Sequence, residues 1–466
     1  MKAFTEPLLS LAGFEEMTKT AEKSSGLISV TGCIDAQKSQ MIYAFGGHRK
    51  NKLIVTFGEQ KAKELYDEYS FFDKEVVYYP SKDVLFYQSD IRGNLLTAER
   101  IRALKAIREQ ERVTLVTTFD ALMNTMAPIE KMWENVLTLE QGQLLDLKEI
   151  QAALIRMGYE KEYQVQTMGQ FSVRGGILDV FPLTEENPIR IELWGDEIDT
   201  IRYFDCESQK SIENIEQVSI YPAAELVLSD EEKAGGIEKL KAEAKRVSDK
   251  LRKQMKTEEA HRVTVMADEL TEEWGELSMY AGMDAFLSYF FDERVGLLDY
   301  FKPSDSLIFF DELTRCTEQG KLTETEFSES MKQRLAMGYI LPGQMNGLFT
   351  EKEIVAKLGK YSCIALAALD NKANGLHQLG SYGIHCQSVS PYNNSFELLI
   401  KDLKRYKKNG YRVILLSGSR TRAKRLSEDI TDQGITCFYT ENYDHELFEG
   451  QIMVCYGKVR RGFEYP

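Results

Sequence analysis

Short apolar runs alternate with amphipathic stretches through the first part of the chain. Leu27-Ile28-Ser29-Val30-Thr31, Lys52-Leu53-Ile54-Val55-Thr56-Phe57, Glu75-Val76-Val77-Tyr78-Tyr79 and Val113-Thr114-Leu115-Val116-Thr117-Thr118 have the length and β-branched content of strands. Ala36 to Phe45 and Ala98 to Gln110 have the spacing of helices. Strands that alternate with helices predict a parallel sheet covered on both faces. Leu145 to Arg156 still reads as a helix, but from Gly158 to Tyr221 the pattern shortens to period-two strands separated by Gly and Asn-Pro turns. Ser229-Asp230-Glu231-Glu232 then caps a long charged helix reaching Thr257, with few apolar positions, which predicts a solvated surface helix rather than a partner-binding coiled coil. Strands resume at Arg262-Val263-Thr264-Val265 and Ser306-Leu307-Ile308-Phe309-Phe310-Asp311-Glu312. After the helix Glu324 to Met337 and a Pro342-Gly343 loop, Ser362 to Leu369, Arg412 to Leu416, Thr436 to Tyr439 and Gln451 to Val454 read as strands of a further small doubly wound sheet. Its helices are Ser395 to Tyr406 and Arg420 to Ile430.

Composition narrows the class. At 466 residues, a prior of about 150 residues per domain predicts roughly three domains. The seven cysteines include no C-x-x-C and the five histidines no H-E-x-x-H, so neither a disulfide framework nor a zinc site is expected, and a reducing, cytoplasmic setting is. Met1 to Lys23 has no long apolar region, and no run is long enough to cross a bilayer. A net charge of −15 opposes non-specific attraction to a polyanion.

Gly32-Cys33-Ile34-Asp35-Ala36-Gln37-Lys38-Ser39 changes the picture. In a phosphate-binding loop, G-x-x-x-x-G-K-[ST], the glycines let backbone N–H groups turn toward a phosphate, the lysine reaches the β/γ oxygens and the hydroxyl holds magnesium. Gly32, Lys38 and Ser39 are in register, but Gln37 replaces the second glycine. A residue with a Cβ there takes on strain of about 1–2 kcal/mol, crowds the phosphate or reshapes the loop. Asp311-Glu312 ends an apolar strand in the manner of a Walker B pair, one carboxylate for magnesium and one for water. Together they predict a nucleotide-binding architecture with weak or absent nucleotide binding. The Ser417-Gly418-Ser419 turn could also meet an anion, although one glycine is a common feature of βα loops. The predicted fold is therefore α/β. A discontinuous RecA/P-loop-like parallel-sheet domain, 1–133 and 223–345, is interrupted by a small β-rich α+β insert, 134–222. A linker, 346–361, and a third small α/β domain, 362–466, follow.

The insert offers the candidate partner surface. In Ile189-Arg190-Ile191-Glu192-Leu193-Trp194 the isoleucines and leucine face a core, leaving Arg190, Glu192 and Trp194 on the other side. The Gly175-Gly176 pair is expected to bulge or twist its strand and present Arg174. Tryptophan and arginine on an open strand face are the residue types that dominate protein–protein hot spots. A two-residue Gly195-Asp196 hairpin would put Arg202 on the face opposite Arg190 and set Glu192 against Asp199. Because opposed carboxylates repel, either a longer turn or an intervening cation such as Arg174 is expected.

Phe171-Ser172-Val173-Arg174-Gly175-Gly176-Ile177-Leu178-Asp179-Val180-Phe181-Pro182, Pro188 to Asp199, and Arg202-Tyr203-Phe204-Asp205 resemble the module shared by the excision-repair protein UvrB and the bacterial transcription-repair coupling factors. The resemblance is specific over residues 1–345 and weak beyond. The substituted loop favours the coupling factors, whose N-terminal UvrB-like region has lost ATP binding, over UvrB, whose loop is intact. Asp83 to Leu104, with Ser89-Asp90-Ile91 and Thr97-Ala98-Glu99-Arg100, points the same way, leaving no room for UvrB's damage-probing hairpin. The resemblance implies that the insert binds UvrA through Arg174, Arg190 and Trp194, the last where the family often has another aromatic. Charge reversal at Arg190 is then expected to weaken binding without unfolding the insert. It also implies that this piece is a fragment with no catalytic residues, metal or cofactor of its own, Gly32, Gln37, Lys38, Ser39, Asp311 and Glu312 being a vestigial nucleotide site. ATP, magnesium, DNA and RNA polymerase would engage a C-terminal translocase part of the parent. The alternative is a UvrB-like repair ATPase with a working site.

Overall fold

The computed structural model describes residues 1–45, 49–82, 94–276, 282–369, 375–392 and 395–466. Ser89-Asp90-Ile91 lies outside the described residues, while Thr97-Ala98-Glu99-Arg100 falls in the helix Asn94–Glu109.

Seven parallel strands form the main sheet, in the spatial order Gln378–Gly383, Gly26–Thr31, Ser362–Leu366, Ser306–Asp311, Asn51–Thr56, Val113–Thr118 and Val77–Tyr79. The central strands are buried on both faces, as a parallel sheet clad by helices requires. Period-two alternation divides their side chains between two cores: Leu53, Val55, Ile308 and Phe310 face one layer, Ile54, Phe309 and Ile364 the other.

Two expectations about this sheet are corrected. Ser362–Leu366 does not open a third unit. It lies between the glycine-loop strand and the Asp311 strand, as the second strand of a βαβ crossover that starts at Ser306–Asp311 and returns through the helices Leu313–Ala336 and Glu351–Leu358. The second of those helices, closed by a Thr350/Glu353 capping box, occupies the stretch expected to be a linker. The separate small sheet has three parallel strands, Val413–Ser417, Ile452–Tyr456 and Phe438–Tyr439, flanked by the helices Phe396–Lys408 and Arg420–Asp432.

Arg262-Val263-Thr264-Val265 is likewise not a strand. It belongs to the helix Thr257–Glu276, which packs as a hairpin against the charged helix Asp230–Lys253. Its buried residues, Ala260, Val263, Ala267, Leu270 and Trp274, recur three or four apart, and that period overrides the β-branched content of four residues. The charged helix in turn buries Leu240, Ala244 and Leu251 in the same core, so it is solvated on one side only.

The insert is a six-stranded sheet, ordered Ser211–Ile215, Glu197–Phe204, Ile189–Trp194, Ile177–Val180, Gln170–Arg174 and Glu160–Lys161. The helix Leu147–Arg156 contributes to its core. Leu137–Glu140 and Gln217–Ile220 pair antiparallel where the chain enters and leaves it. Just past that neck, Glu225 accepts a two-pronged hydrogen bond from Arg100, at 2.7 and 3.0 Å, with the guanidinium lying 4.0 Å over the Tyr79 ring. Arg100 and Glu225 are both buried, and Lys82 joins the pair 2.9 Å from Glu225.

The helical hairpin depends on Trp274, fully buried with its ring 5.0 Å from Phe286 and 5.3 Å from Phe290. Trp274→Ala should cost about 3–5 kcal/mol, measured by denaturant unfolding; an unchanged midpoint would show that this helix is not packed as described.

Candidate functional site

On the open face of the insert the strands bring one buried carboxylate under two arginines. Asp179 lies opposite Ser172 on one side and Arg190 on the other, so the three share a cross-strand row. Its side chain is only 2% exposed. Arg190 clamps it with both prongs, Nε to Oδ1 at 2.7 Å and Nη2 to Oδ2 at 2.8 Å, and the same Nη2 donates to Gln209 Oε1 at 2.8 Å. The guanidinium packs 4.3 Å over the Phe204 ring, and the Arg190 side chain keeps only 12% exposure. Its hydrogen bonds to Asp179 raise its pKa, stabilising the charge. Among the described residues Arg174 makes a single polar contact, Nη2 to Asp179 Oδ2 at 3.0 Å, and is 38% exposed.

One row further, Glu192 is paired by Arg202 through both guanidinium nitrogens, and these hydrogen bonds lower its pKa. Arg202 was expected on the opposite face. Gly195-Asp196 does form a two-residue turn, with Trp194 opposite Glu197, but the register then slips at Asp199, so Thr200 faces Glu192 and Arg202 faces Arg190. That bulge resolves the expected carboxylate clash, and the cation beside Glu192 is Arg202, not Arg174. The Gly175-Gly176 pair is a hairpin turn rather than a bulge, with Arg174 opposite Ile177 and Gly175 at φ +61°. Trp194 ends its strand 84% exposed. Sequence reading missed a second aromatic, Tyr163, 83% exposed, whose carbonyl accepts from Ser172 Oγ at 2.7 Å at the edge of the same face. Residues 137–226 hold 17 acidic against 7 basic side chains, so three arginines gathered on one face run against the composition around them.

The substituted glycine loop has a different geometry. The helix Asp35–Ala44 begins two residues before Gln37, with Ile34 at its N-cap, so Gln37 has ordinary helical backbone and none of the strain of a left-handed position. Of the three outcomes open to this residue, the loop has been reshaped. Gln37 is buried, its amide 3.8 Å from Cys33 Sγ; among the described residues its Oε1 has no partner, nor has the hydroxyl of buried Ser39. Gly32, at φ +77°, could not carry a side chain, since a Cβ would come 2.0 Å from the Ile384 carbonyl. Its N–H donates to Ala368 O at 3.3 Å, and that of Cys33 to Ala367 O at 2.9 Å. Lys38, 1% exposed, donates to Asp311, to Glu312 at 3.0 Å and to Asp35 at 3.0 Å. Burial disfavours its charge, but the three carboxylates outweigh that and hold its pKa above the ordinary lysine value. Asp35, although desolvation opposes it, is brought down to about 2 by Lys61 and Lys38. The structure thus brings Gly32, Gln37, Lys38, Ser39, Asp311 and Glu312 together. Two loop N–H groups are already engaged by backbone carbonyls, and the lysine by carboxylates.

Residues 137–226 match the family model described as the UvrB interaction domain. Across 89% of the chain the sequence is 27% identical to a transcription-repair-coupling factor of Bacillus subtilis, and across 97% it is 26% identical to one of Staphylococcus aureus. A Staphylococcus haemolyticus protein of the same name is 26% identical across 94%. These matches cover 35%, 38% and 37% of the respective relatives, so the chain spans a little over a third of their length. The chain is thereby similar to the transcription-repair-coupling factors over nearly all of its length, and its β-rich insert matches the UvrB interaction domain.

Proposed function

We propose that this chain is a non-catalytic docking region of a transcription-coupled repair factor, and that the Arg174–Trp194 face of its insert recruits UvrA to RNA polymerase stalled at a lesion. The observation that carries the reading is an exposed tryptophan, next to the Leu193 that bonds to Gly176 in the turn after Arg174, together with the spare donors of that arginine, in residues that match a UvrB interaction domain. A desolvated tryptophan anchor with a charge-assisted contact from an arginine is the combination that concentrates binding energy at protein interfaces. The acidity of the insert argues against duplex DNA as its ligand, because counterion-release binding needs clustered cations. In this reading ATP-dependent translocation on DNA and displacement of polymerase belong to other parts of the parent protein. Its setting is the cytoplasm; among the described residues no helix is long and apolar enough to cross a membrane.

The nucleotide reading fits the geometry less well. A triphosphate at Lys38 would have to displace carboxylates from a buried ammonium and sit beside three negative side chains. Gln37, buried at the head of the helix, fills the step where a glycine would let the backbone approach the anion.

Arg174→Glu should weaken binding of purified UvrA at least tenfold with no change in thermal unfolding, and Trp194→Ala should do the same; normal affinity in both would remove UvrA from this face. Charge reversal is placed at Arg174 because it leaves Asp179 its two-pronged Arg190 partner, whereas at Arg190 it would remove that partner and destabilise the insert, contrary to the sequence expectation. Calorimetric titration with Mg-ATP should give no saturable heat; micromolar binding abolished by Lys38→Ala would establish the ATPase alternative. Lys38→Ala should itself cost about 3–5 kcal/mol of stability, since it leaves Asp311 buried without a cation, and denaturant unfolding measures this.

A further inference from the structure

The two arginines that share Asp179 are not equivalent. A guanidinium has five N–H donors. Arg190 commits its Nε and Nη2 to Asp179 and Gln209, lies flat on Phe204 and is almost closed to solvent. Arg174 spends one donor, through Nη2, and is the more exposed of the two. The charge balance follows the same division. Asp179 is one carboxylate between two cations, and the closer, two-pronged partner neutralises it, so the surplus positive charge resides on Arg174.

Resting on the reading that this face binds UvrA, we propose that Asp179 is a positioning residue, held in place by Arg190, that pre-orients Arg174 as the guanidinium facing the partner. Arg190 does not touch the partner. The single bond from Asp179 Oδ2 fixes the long Arg174 side chain before binding, so less conformational freedom is lost when a partner carboxylate or carbonyl takes its remaining donors. The Arg190 fork prevents Asp179 from closing on Arg174 with both oxygens, which would consume those donors. Asp179 is reached from the turn at Gly175-Gly176, because the two-residue hairpin sets Ser172 opposite Asp179 and leaves Arg174 one step nearer the open end of the strands. A longer turn would shift that register and carry Arg174 away from the carboxylate.

The test is a pair of double-mutant cycles on the 466-residue chain, with UvrA affinity as the readout and thermal unfolding as the control for folding. Asp179→Glu keeps the charge and displaces the carboxylate by one methylene; Arg190→Lys keeps the cation and breaks the fork. Each should weaken binding about tenfold when Arg174 is present, the worth of one charge-assisted hydrogen bond. Each should cost nothing further in the Arg174→Ala background. A merely structural role predicts the same fold-loss in both backgrounds, and that result overturns the proposal, as does full affinity in Asp179→Glu. Should Asp179→Glu unfold, the Arg190→Lys cycle decides alone: loss of affinity from Arg190→Lys without Arg174 would make Arg190 a direct contact and sink the idea. An unmutated chain that fails to bind UvrA refutes the interface reading itself, a result distinct from additive cycles in a chain that binds.

Discussion

A carboxylate withdrawn from water must be neutralised from within the fold, and the face of the insert depends on how Asp179 meets that requirement. Its two-pronged pairing with Arg190 joins neighbouring strands, orients a second arginine and brings the Phe204 ring under a guanidinium. Burying a charge is costly unless it is paired and hydrogen-bonded, so a carboxylate at this depth is a weak source of stability. In the proposed reading, such an arrangement supplies definition, holding the side chains above it in one geometry before a partner arrives.

The insert needs a firm base if that geometry is to be presented reliably. Its two terminal strands pair with each other at the neck, and immediately beyond, Glu225 is locked to Arg100 beneath the main sheet's Tyr79. Both partners are buried, and Lys82 adds a third charge. Removing Glu225 would leave Arg100 buried without its carboxylate, whereas removing Arg100 would leave Glu225 with Lys82 alone. The parallel-sheet domain can therefore serve the insert as a mount, a role that requires no chemistry at the glycine loop.

Much of this was legible in the sequence where one period ran long enough to speak for itself. Val113–Thr118 and Ser306–Asp311 are strands because continuous apolar runs suit a sheet covered on both sides. The alternation from Ile189 to Trp194 placed Arg190 and Trp194 on the open face correctly. The failures have physical causes. Arg262–Val265 is β-branched locally but helical in its wider period, so tertiary packing outweighed propensity. Ser362–Leu366 reads as a strand in any context, and only the crossover geometry assigns it to the first sheet. Arg202 changed faces because a one-residue bulge at Asp199 inverts every side chain beyond it, a slip that no residue pattern announces. Gln37 announced a damaged loop, and the helix read from Ala36 starts one residue earlier at Asp35, so Gln37 takes helical backbone without strain.

The two sites solve the problem of buried charge in opposite directions, and that contrast bears on what each can bind. Around Lys38, three carboxylates surround one ammonium, with Lys61 reaching only the outermost of them, Asp35. The surplus there is negative, and a polyphosphate brought to it would meet like charge at short range in a site of reduced dielectric, where repulsion is least screened. Around Asp179 the surplus is positive and sits on the more exposed of two arginines, beside an open tryptophan, in a unit otherwise dominated by acids. A polyanion would be repelled by that acidic surround at long range, whereas a protein surface offering one carboxylate or a few carbonyls needs only the local contact. The charge arrangement thus favours a discrete protein partner on the insert over either nucleotide in the sheet or nucleic acid on the surface.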